Sequence, residues 1–152
     1  MKSQMQSLFK FEQDFGDSLR CIPMAVRFKL DTSGIKLKLS HWLNLSHTQR
    51  NELLELPCAA KDEIQAYRSL VHQFTAKNLP TDLPIDPEPN WLNIAELPEA
   101  LIQKLAEVQR EISLKEWQNL SAFQRFTLIK LSRSSHENLN FIPALEEFGI
   151  TD

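Results

Sequence analysis

The sequence predicts an all-α protein in which two copies of one helical unit pack into a single compact domain, residues 1–152. Three observations lead to this prediction. A 15-residue stretch occurs twice at a constant offset of 75, an amphipathic helix follows its first copy, and a proline-rich segment separates the copies. A repeated unit of this kind usually cannot bury its apolar face alone and packs against its sibling.

The repeated stretch comprises residues 42–56, WLNLSHTQRNELLEL, and residues 117–131, WQNLSAFQRFTLIKL. The two agree at 8 of 15 positions, where ordinary amino-acid usage gives roughly one match. The identical pairs are Trp42/Trp117, Asn44/Asn119, Leu45/Leu120, Ser46/Ser121, Gln49/Gln124, Arg50/Arg125, Leu53/Leu128 and Leu56/Leu131. We interpret the recurrence of the two arginines as shared ancestry and a structural hydrogen bond, not as catalysis.

The repeat extends upstream without a gap, since Pro23 and Pro98 also stand 75 residues apart. Proline is favoured at the first position of a helix, so each opens a predicted helix. The predicted repeats are therefore residues 23–75 and 98–149, joined by the proline-rich linker 76–97.

The chain before the first copy contains a short apolar arm. Phe9 and Phe11 alternate with Lys10 and Glu12. Such alternation is typical of a strand, but an extended strap over the core fits equally well, and the pattern does not decide between them.

The first copy contains one ambiguous stretch, which follows a predicted helix stop at Gly34. Residues 35–39 alternate apolar side chains with lysine, and this alone would predict a strand. The equivalent residues 110–117 resemble a helix end followed by a new N-cap at Ser113. Because related units share a backbone, we interpret both stretches as connectors.

Helices are predicted on both sides of the repeated serines. Trp42 and Trp117 lie on short helices, and Ser46 and Ser121 begin longer ones as N-caps. Residues 61–77 form the clearest amphipathic helix of the chain.

The linker is predicted to be extended. Four of the eight prolines fall within ten residues of it, a spacing that disfavours helix and sheet alike. We expect Trp91 and Leu92 to attach the linker to the core. After the second copy, Pro143 opens a last short helix that Gly149 ends.

The second-copy helix differs from the first in being apolar on nearly all sides, because Phe123 replaces Thr48 and Phe126 replaces Asn51. A helix of this kind usually lies at the centre of the core. The alternative is that one face forms an exposed apolar patch for a partner protein.

Composition excludes several classes of function. A net charge of −3 gives no electrostatic basis for binding nucleic acid or an anionic membrane. The three glycines are far apart, which excludes a phosphate-binding loop, and the four histidines share no helical face. We therefore expect no catalytic site, cofactor or metal. Without an apolar signal region at the N-terminus, we expect the protein in the cytoplasm.

The two cysteines, Cys21 and Cys58, cannot form a disulfide framework. The simplest interpretation is that both are small buried apolar side chains. A reactive or metal-binding thiol is the alternative, favoured at Cys21 because the positively charged Arg20 precedes it.

Longer strings resemble a known family. FEQDFGDSLRCIPMAVRFKLDTSGIKLKLS, LPC at 56–58 and FTLIKLSRSSHENLNFIPALEEFG are similar to the bacterial nitrate-reductase-associated proteins, and the likeness extends from about Phe9 to Gly149. It departs at Ser134, where the family has proline. The resemblance implies a cytoplasmic accessory protein needed for the activity of assimilatory, molybdenum-dependent nitrate reductase, without being its catalytic subunit.

The family motifs, the apolar second-copy helix and Phe141, which stands beside the polar string 133–138, supply the candidate contacts with the reductase. Arg and aromatic residues are the usual anchors of protein interfaces. The candidates are Arg20, Cys21, Met24, Lys29, Asp31, Cys58, Phe123, Phe126, Arg133, His136, Glu137, Asn138 and Phe141.

Two other hypotheses assign the protein to different functional classes. One is a thiol- or metal-dependent carrier for molybdenum-cofactor insertion, which uses Cys21 and Cys58 and requires their sulfurs to lie close together. The other is a helix-turn-helix regulator built on residues 42–56, which the acidic balance of the chain disfavours.

Overall fold

The computed structural model describes residues 8–12, 19, 21–133 and 138–150, with Asn138 by its backbone alone. The chain divides into two compact units, Met1–Asp86 and Pro87–Asp152. The described residues form eight α-helices, three short 3-10 helices and one two-stranded sheet, which confirms the prediction of a mainly helical protein. None of these helices has the length and apolar character needed to cross a membrane.

The first described element of the first unit is a 3-10 helix, Lys10–Glu12, where an extended arm was predicted. Its turn is closed by the buried carboxylate of Glu12, which accepts hydrogen bonds from the backbone N–H groups of Phe9 (3.1 Å) and Met24 (2.7 Å). Met24 is the first residue of the next helix, whose early N–H groups have no partner within the helix. The prediction of an extended arm was therefore wrong. The hydrogen bond between the Glu12 side chain and the backbone of Phe9 closes a turn here instead.

Helix α1, Met24–Ser33, begins directly after Pro23 and ends at Gly34, as predicted. Gly34 has a φ of 75°, a conformation that side chains with a Cβ rarely adopt. A Cβ at this position would also lie 2.5 Å from the carbonyl oxygen of Leu83. Glycine is thus required here both by the backbone conformation and by a close approach of the chain.

The residues after α1 form strand β1, Ile35–Lys36, which pairs antiparallel with strand β2, Thr81–Asp82. This corrects two predictions, the connector at 35–39 and the linker without sheet structure. The prolines do not prevent the pairing because Pro80 and Pro84 flank β2 and leave its own N–H groups in place.

Three helices complete the first unit. They are α2, Leu39–Leu43, α3, His47–Glu55, and α4, Lys61–Phe74. Ser46 caps α3, because its hydroxyl accepts a hydrogen bond from the N–H of Gln49 at 3.1 Å, as predicted. On the apolar face of α4, Tyr67 and Val71 are buried, whereas Ile64, Leu70 and Phe74 are half-buried.

The second unit starts within the predicted linker, with a 3-10 helix at Asn90–Leu92. The half-buried Trp91 meets the ring of Phe126 edge-on at 5.1 Å between centroids, so it is attached to the core as expected. Leu92 is not, since 52% of it is exposed.

The remaining described elements of the second unit are helical, and both predicted serine caps are confirmed. The hydroxyls of Ser113 and Ser121 each accept a backbone N–H at 3.1 Å. The last helix begins at Phe141 and so contains Pro143 in its first turn, where proline removes no helical hydrogen bond. The elements are α5, Glu99–Glu107, α6, Leu114–Asn119, α7, Ala122–Arg133, a 3-10 helix, Asn138–Asn140, and α8, Phe141–Glu147.

Helix α7 is the centre of the second unit, as its apolar sequence predicted. It packs against α5, α8 and the 3-10 helix that carries Trp91. Its buried residues are Phe123, Arg125, Phe126, Thr127, Leu128, Ile129 and Leu131.

Candidate functional site

Five of the predicted partner contacts are buried, namely Met24, Lys29, Phe123, Phe126 and Phe141. Their exposed fractions lie between 0% for Phe141 and 8% for Lys29. Burial of side chains this large stabilises the core. The alternative that Phe123 and Phe126 form an exposed patch is therefore corrected, because the neighbours of α7 cover both rings.

The other predicted contacts divide by exposure. Cys21 and Arg133 are exposed, whereas Asp31 and Cys58 are half-buried. The structure therefore does not gather the candidates into one exposed surface. Outside the described residues lie Arg20, His136, Glu137 and the side chain of Asn138.

Cys58 belongs to a group of polar side chains in the first unit that bind backbone carbonyls. Its thiol donates to the carbonyl of Lys29 at 3.6 Å, and the ammonium of Lys29 donates to the carbonyl of Leu54 at 2.6 Å. The hydroxyl of Tyr67 donates to the carbonyl of Leu53 at 2.7 Å. Burial lowers the pKa of Lys29 and raises that of Tyr67. These contacts tie α1 and α4 to the end of α3.

The thiol of Cys58 is poorly suited to chemistry. Burial raises its pKa to about 11, although the nearby Lys29 opposes the change. The thiolate is the form that attacks electrophiles and binds metals, so at neutral pH nearly all of this thiol is inactive. Across the described ranges, no three or more His, Cys, Asp or Glu residues are grouped to hold a metal ion.

In the first unit, the repeated arginine and tryptophan bind the backbone around them. The indole N–H of Trp42 donates to the carbonyl of Leu19 at 2.7 Å. Arg50 donates from Nε to the carbonyl of Trp42 at 3.1 Å and from Nη2 to that of Leu43 at 3.0 Å. The guanidinium thus binds two carbonyls at the end of the short helix α2, and that of Trp42 also accepts the backbone N–H of Leu45 at 3.1 Å.

The second unit contains the same kind of arrangement. The indole N–H of Trp117 donates to the carbonyl of Asn93 at 2.9 Å. Arg125 donates from Nε to the carbonyl of Trp91 at 2.7 Å and from Nη1 to the carbonyls of Trp117 and Leu120. Burial lowers the pKa of Arg125. Arginine remains charged in proteins, so these are charge-assisted bonds. Both arginines have the structural role that the sequence indicated.

The first unit has an open groove of about 410 Å³ beside the end of α4. Its polar lining includes His41, Asn44, Gln73, Lys77 and Asn78. Nδ1 of His41 accepts the backbone N–H of Lys38 at 3.0 Å, so in the neutral ring the proton is on Nε2. Thr75 also lines this groove, but its hydroxyl donates to the carbonyl of Val71 at 2.7 Å. Among the described residues of the lining, none is a nucleophile hydrogen-bonded to His41.

The second unit has a smaller groove of about 260 Å³, which we call the acidic groove. Sequence reasoning missed it, although no Lys or Arg occurs between Lys77 and Lys104. Its apolar neighbours Leu92 and Ile94 are 52% and 46% exposed, and stand on either side of Asn93 in the chain. The groove is lined by Asn90, Asn93, Glu96, Leu97, Pro98, Glu99 and Ile102.

A polar cluster fastens strand β2 to helix α4 in the first unit. Asp82 Oδ1 lies 2.8 Å from Nε2 of His72, and Oδ2 lies 3.5 Å from Nη2 of Arg68. The hydrogen bond from His72, together with the charge of Arg68, holds the pKa of Asp82 below its usual value. Arg68 also donates to the carbonyl of Ser33 at 2.9 Å. The cluster positions the sheet and the start of the proline-rich segment.

Comparison with known proteins identifies the family. No curated protein and no solved structure matches the chain significantly. A family model described as "conserved nitrate reductase-associated protein" matches residues 8–148, which is nearly the whole chain. The chain therefore belongs to the family of nitrate reductase-associated proteins.

Proposed function

We propose that this protein is a non-catalytic accessory protein that binds assimilatory nitrate reductase and supports its activity. The family match over residues 8–148 carries the proposal, because the description of the family names an association with nitrate reductase. The molybdenum-dependent catalytic subunit is the partner we propose, and the cytoplasm is the compartment.

The buried polar groups support a binding role over a chemical one. Many of them bind backbone atoms, as Lys29, Ser33, Thr75, Arg125 and Thr127 all donate to carbonyls. Catalytic groups typically face a substrate cleft and have partners that tune their pKa. Side chains that cap and cross-link helices instead stabilise a scaffold whose surface meets another protein.

Part of the proposed contact surface is the exposed end of α7. Arg133 is the last residue of that helix and its side chain is exposed. Arginine is a frequent interface anchor because its guanidinium makes several hydrogen bonds at once. We propose that Arg133 contacts the reductase together with His136, which follows in the same string.

Co-purification with the reductase tests the proposal. The tagged protein, incubated with purified reductase, is expected to retain the enzyme, and omission of the protein is expected to lower nitrate reductase activity in cells. The molybdenum content of the retained enzyme separates two roles. Cofactor-free enzyme indicates a maturation chaperone, whereas loaded and active enzyme indicates a subunit.

A paired substitution tests the contact surface at the end of α7. Arg133→Ala with His136→Ala is expected to weaken retention of the reductase. If the double variant retains the enzyme and supports its activity like the wild type, this contact surface is wrong.

The cofactor-carrier alternative receives less support from the site. Such a carrier needs a thiolate, and the thiol of Cys58 is protonated at neutral pH because its pKa is about 11. Replacement of both Cys21 and Cys58 by serine is therefore expected to leave reductase activity intact.

We further propose that the two units are copies of one ancestral helical unit. Helices α1 and α5 begin at Met24 and Glu99, which are 75 residues apart, and the pairs α2/α6 and α3/α7 begin with the same separation. The buried residues agree as well, since Trp42 and Trp117 are both fully buried. An experimental structure in which residues 23–56 superpose poorly on 98–131 would remove this proposal.

A further inference from the structure

The second unit carries the negative charge of the chain. Residues 87–152 contain six Lys and Arg against ten Asp and Glu, which gives −4. The whole chain has −3, so the remaining residues have +1. The two units thus differ in the kind of charged surface they present.

Burial of basic side chains increases the excess of negative charge at the surface of the second unit. Lys104 and Arg125 are 7% and 8% exposed, and Arg110 and Lys130 are half-buried. Among the described residues of this unit, only Lys115 and Arg133 are exposed cations. The exposed carboxylates are Glu88, Glu96, Glu99, Glu107, Glu111 and Glu146.

The acidic groove combines this charge with exposed apolar surface. Glu96 and Glu99 line it together with Ile102, which is 47% exposed. Leu92 and Ile94, close by in the chain, are exposed to a similar degree. Protein interfaces combine an apolar centre with a polar rim, and charges at the rim contribute to orientation and to the rate of association.

We propose that the acidic groove is a docking site for a basic protein surface, in which Lys or Arg side chains surround an apolar side chain that enters the groove. A nucleic acid or an anionic membrane would be repelled by Glu96 and Glu99, so a protein is the occupant that fits. The inference rests on the proposed function, and it identifies the occupant as a basic patch of nitrate reductase.

Binding of the purified reductase to the full-length protein tests the site. Glu96→Lys is expected to weaken binding about tenfold at low salt, and Ile102→Ala about threefold. The wild-type affinity is expected to fall as the salt concentration rises, because exposed charges are screened beyond about 8–10 Å at physiological ionic strength.

Two control variants match these substitutions. Glu111→Lys makes the same charge change on the same unit, and Leu114→Ala shortens a side chain that is 43% exposed. Both lie outside the groove and are expected to bind within about twofold of the wild type. Thermal unfolding of every variant establishes that it is folded.

The outcomes separate two kinds of failure. If the wild type binds the reductase while Glu96→Lys weakens binding no more than Glu111→Lys, the groove is not the docking site and the proposed function stands. If the wild type does not bind the reductase, the proposed function fails and takes this inference with it. Tight binding of the wild type to RNA or to anionic vesicles also contradicts the inference.

Discussion

The guanidinium carbon of Arg125 lies 5.9 Å from the ring centroid of Trp117. Arg50 lies at the same distance, 5.9 Å, from the ring of Trp42. A cation over an indole face is attractive by about 0.5–2 kcal/mol, more when water is excluded. Each pair therefore combines this attraction with hydrogen bonds to nearby carbonyls.

The first prediction concerns Arg125→Lys. A lysine ammonium cannot reach the carbonyls of Trp91, Trp117 and Leu120 together as the planar guanidinium does. An unsatisfied buried carbonyl costs about 1–3 kcal/mol, so we expect the free energy of unfolding to fall by about 2 kcal/mol. Urea denaturation followed by tryptophan fluorescence measures the change.

Arg50→Lys is the matched control. Arg50 makes similar bonds, but its contact with Leu43 is exposed, and water can replace it there. We expect a loss of about 1 kcal/mol or less. Equal losses in the two variants would contradict the argument that burial makes the Arg125 bonds more important.

The second prediction concerns Gly34→Ala. The residue has a φ of 75°, and an added Cβ would lie 2.5 Å from the carbonyl oxygen of Leu83. The left-handed conformation costs about 1–2 kcal/mol for a residue with a Cβ, and the contact adds to that cost. We expect the free energy of unfolding to fall by about 2–3 kcal/mol, measured by urea denaturation.

Gly149→Ala separates the two contributions. Gly149 has a φ of 83°, but an added Cβ would meet nothing within 4 Å. Only the conformational cost of about 1–2 kcal/mol then applies. If Gly34→Ala is no more harmful than Gly149→Ala, the close approach of Leu83 is unimportant for stability.

The third prediction concerns the reactivity of Cys58. With a pKa of about 11, only about one thiol in a thousand is ionised at pH 8. In Cys21→Ser, alkylation by iodoacetamide is therefore expected to be slow at pH 8. The rate should rise about tenfold per pH unit below pH 11, because the thiolate is the reacting form.

The same pKa has a consequence for stability. A thiol whose pKa is higher in the folded state than in the unfolded state stabilises the fold below the unfolded value. That contribution is lost as the pH rises from about 9 towards 11. Cys58→Ser removes the ionisation and is expected to flatten this part of the pH profile. Fast alkylation of Cys58 at pH 8 would contradict both predictions, because it would show that burial does not raise the pKa of this thiol.

The elements that could be predicted from the sequence are those whose stabilising contacts join residues close together in the chain. Ser46 and Ser121 were identified as caps because a serine hydroxyl binds an N–H only three residues along the chain. Strand β2 could not be found in this way. Its two residues gain their structure from β1, which lies more than forty residues earlier.

The candidate site was less predictable than the fold. Met24 and Lys29 were singled out through the family resemblance, yet both are buried. The strings that characterise a family also include residues that its core needs. The run without Lys or Arg was visible in the sequence. The sequence could not show that Ile102 is exposed in the same groove as Glu96, because that exposure depends on tertiary packing.

The last prediction concerns the pH dependence of the small sheet. Asp82 lies on β2, and the next residue, Leu83, donates its N–H to the carbonyl of Gly34 at 2.8 Å. His72 and Arg68 lower the pKa of Asp82, so the folded state favours the carboxylate. That stabilising contribution is present above the usual carboxyl pKa of about 3.9 and is lost as the pH falls through the lower folded value.

Asp82→Asn is therefore expected to weaken the attachment of β2 at pH 7 and to have little effect at an acidic pH below the lowered pKa of Asp82, where the wild-type carboxyl is protonated. The protection of the Leu83 amide against hydrogen exchange reports this local change, because that amide bonds directly to Gly34. His72→Ala is the companion variant, since it removes the hydrogen bond that contributes most to the low pKa of Asp82. If Asp82→Asn lowers the protection equally at both pH values, the negative charge of Asp82 does not hold the strand.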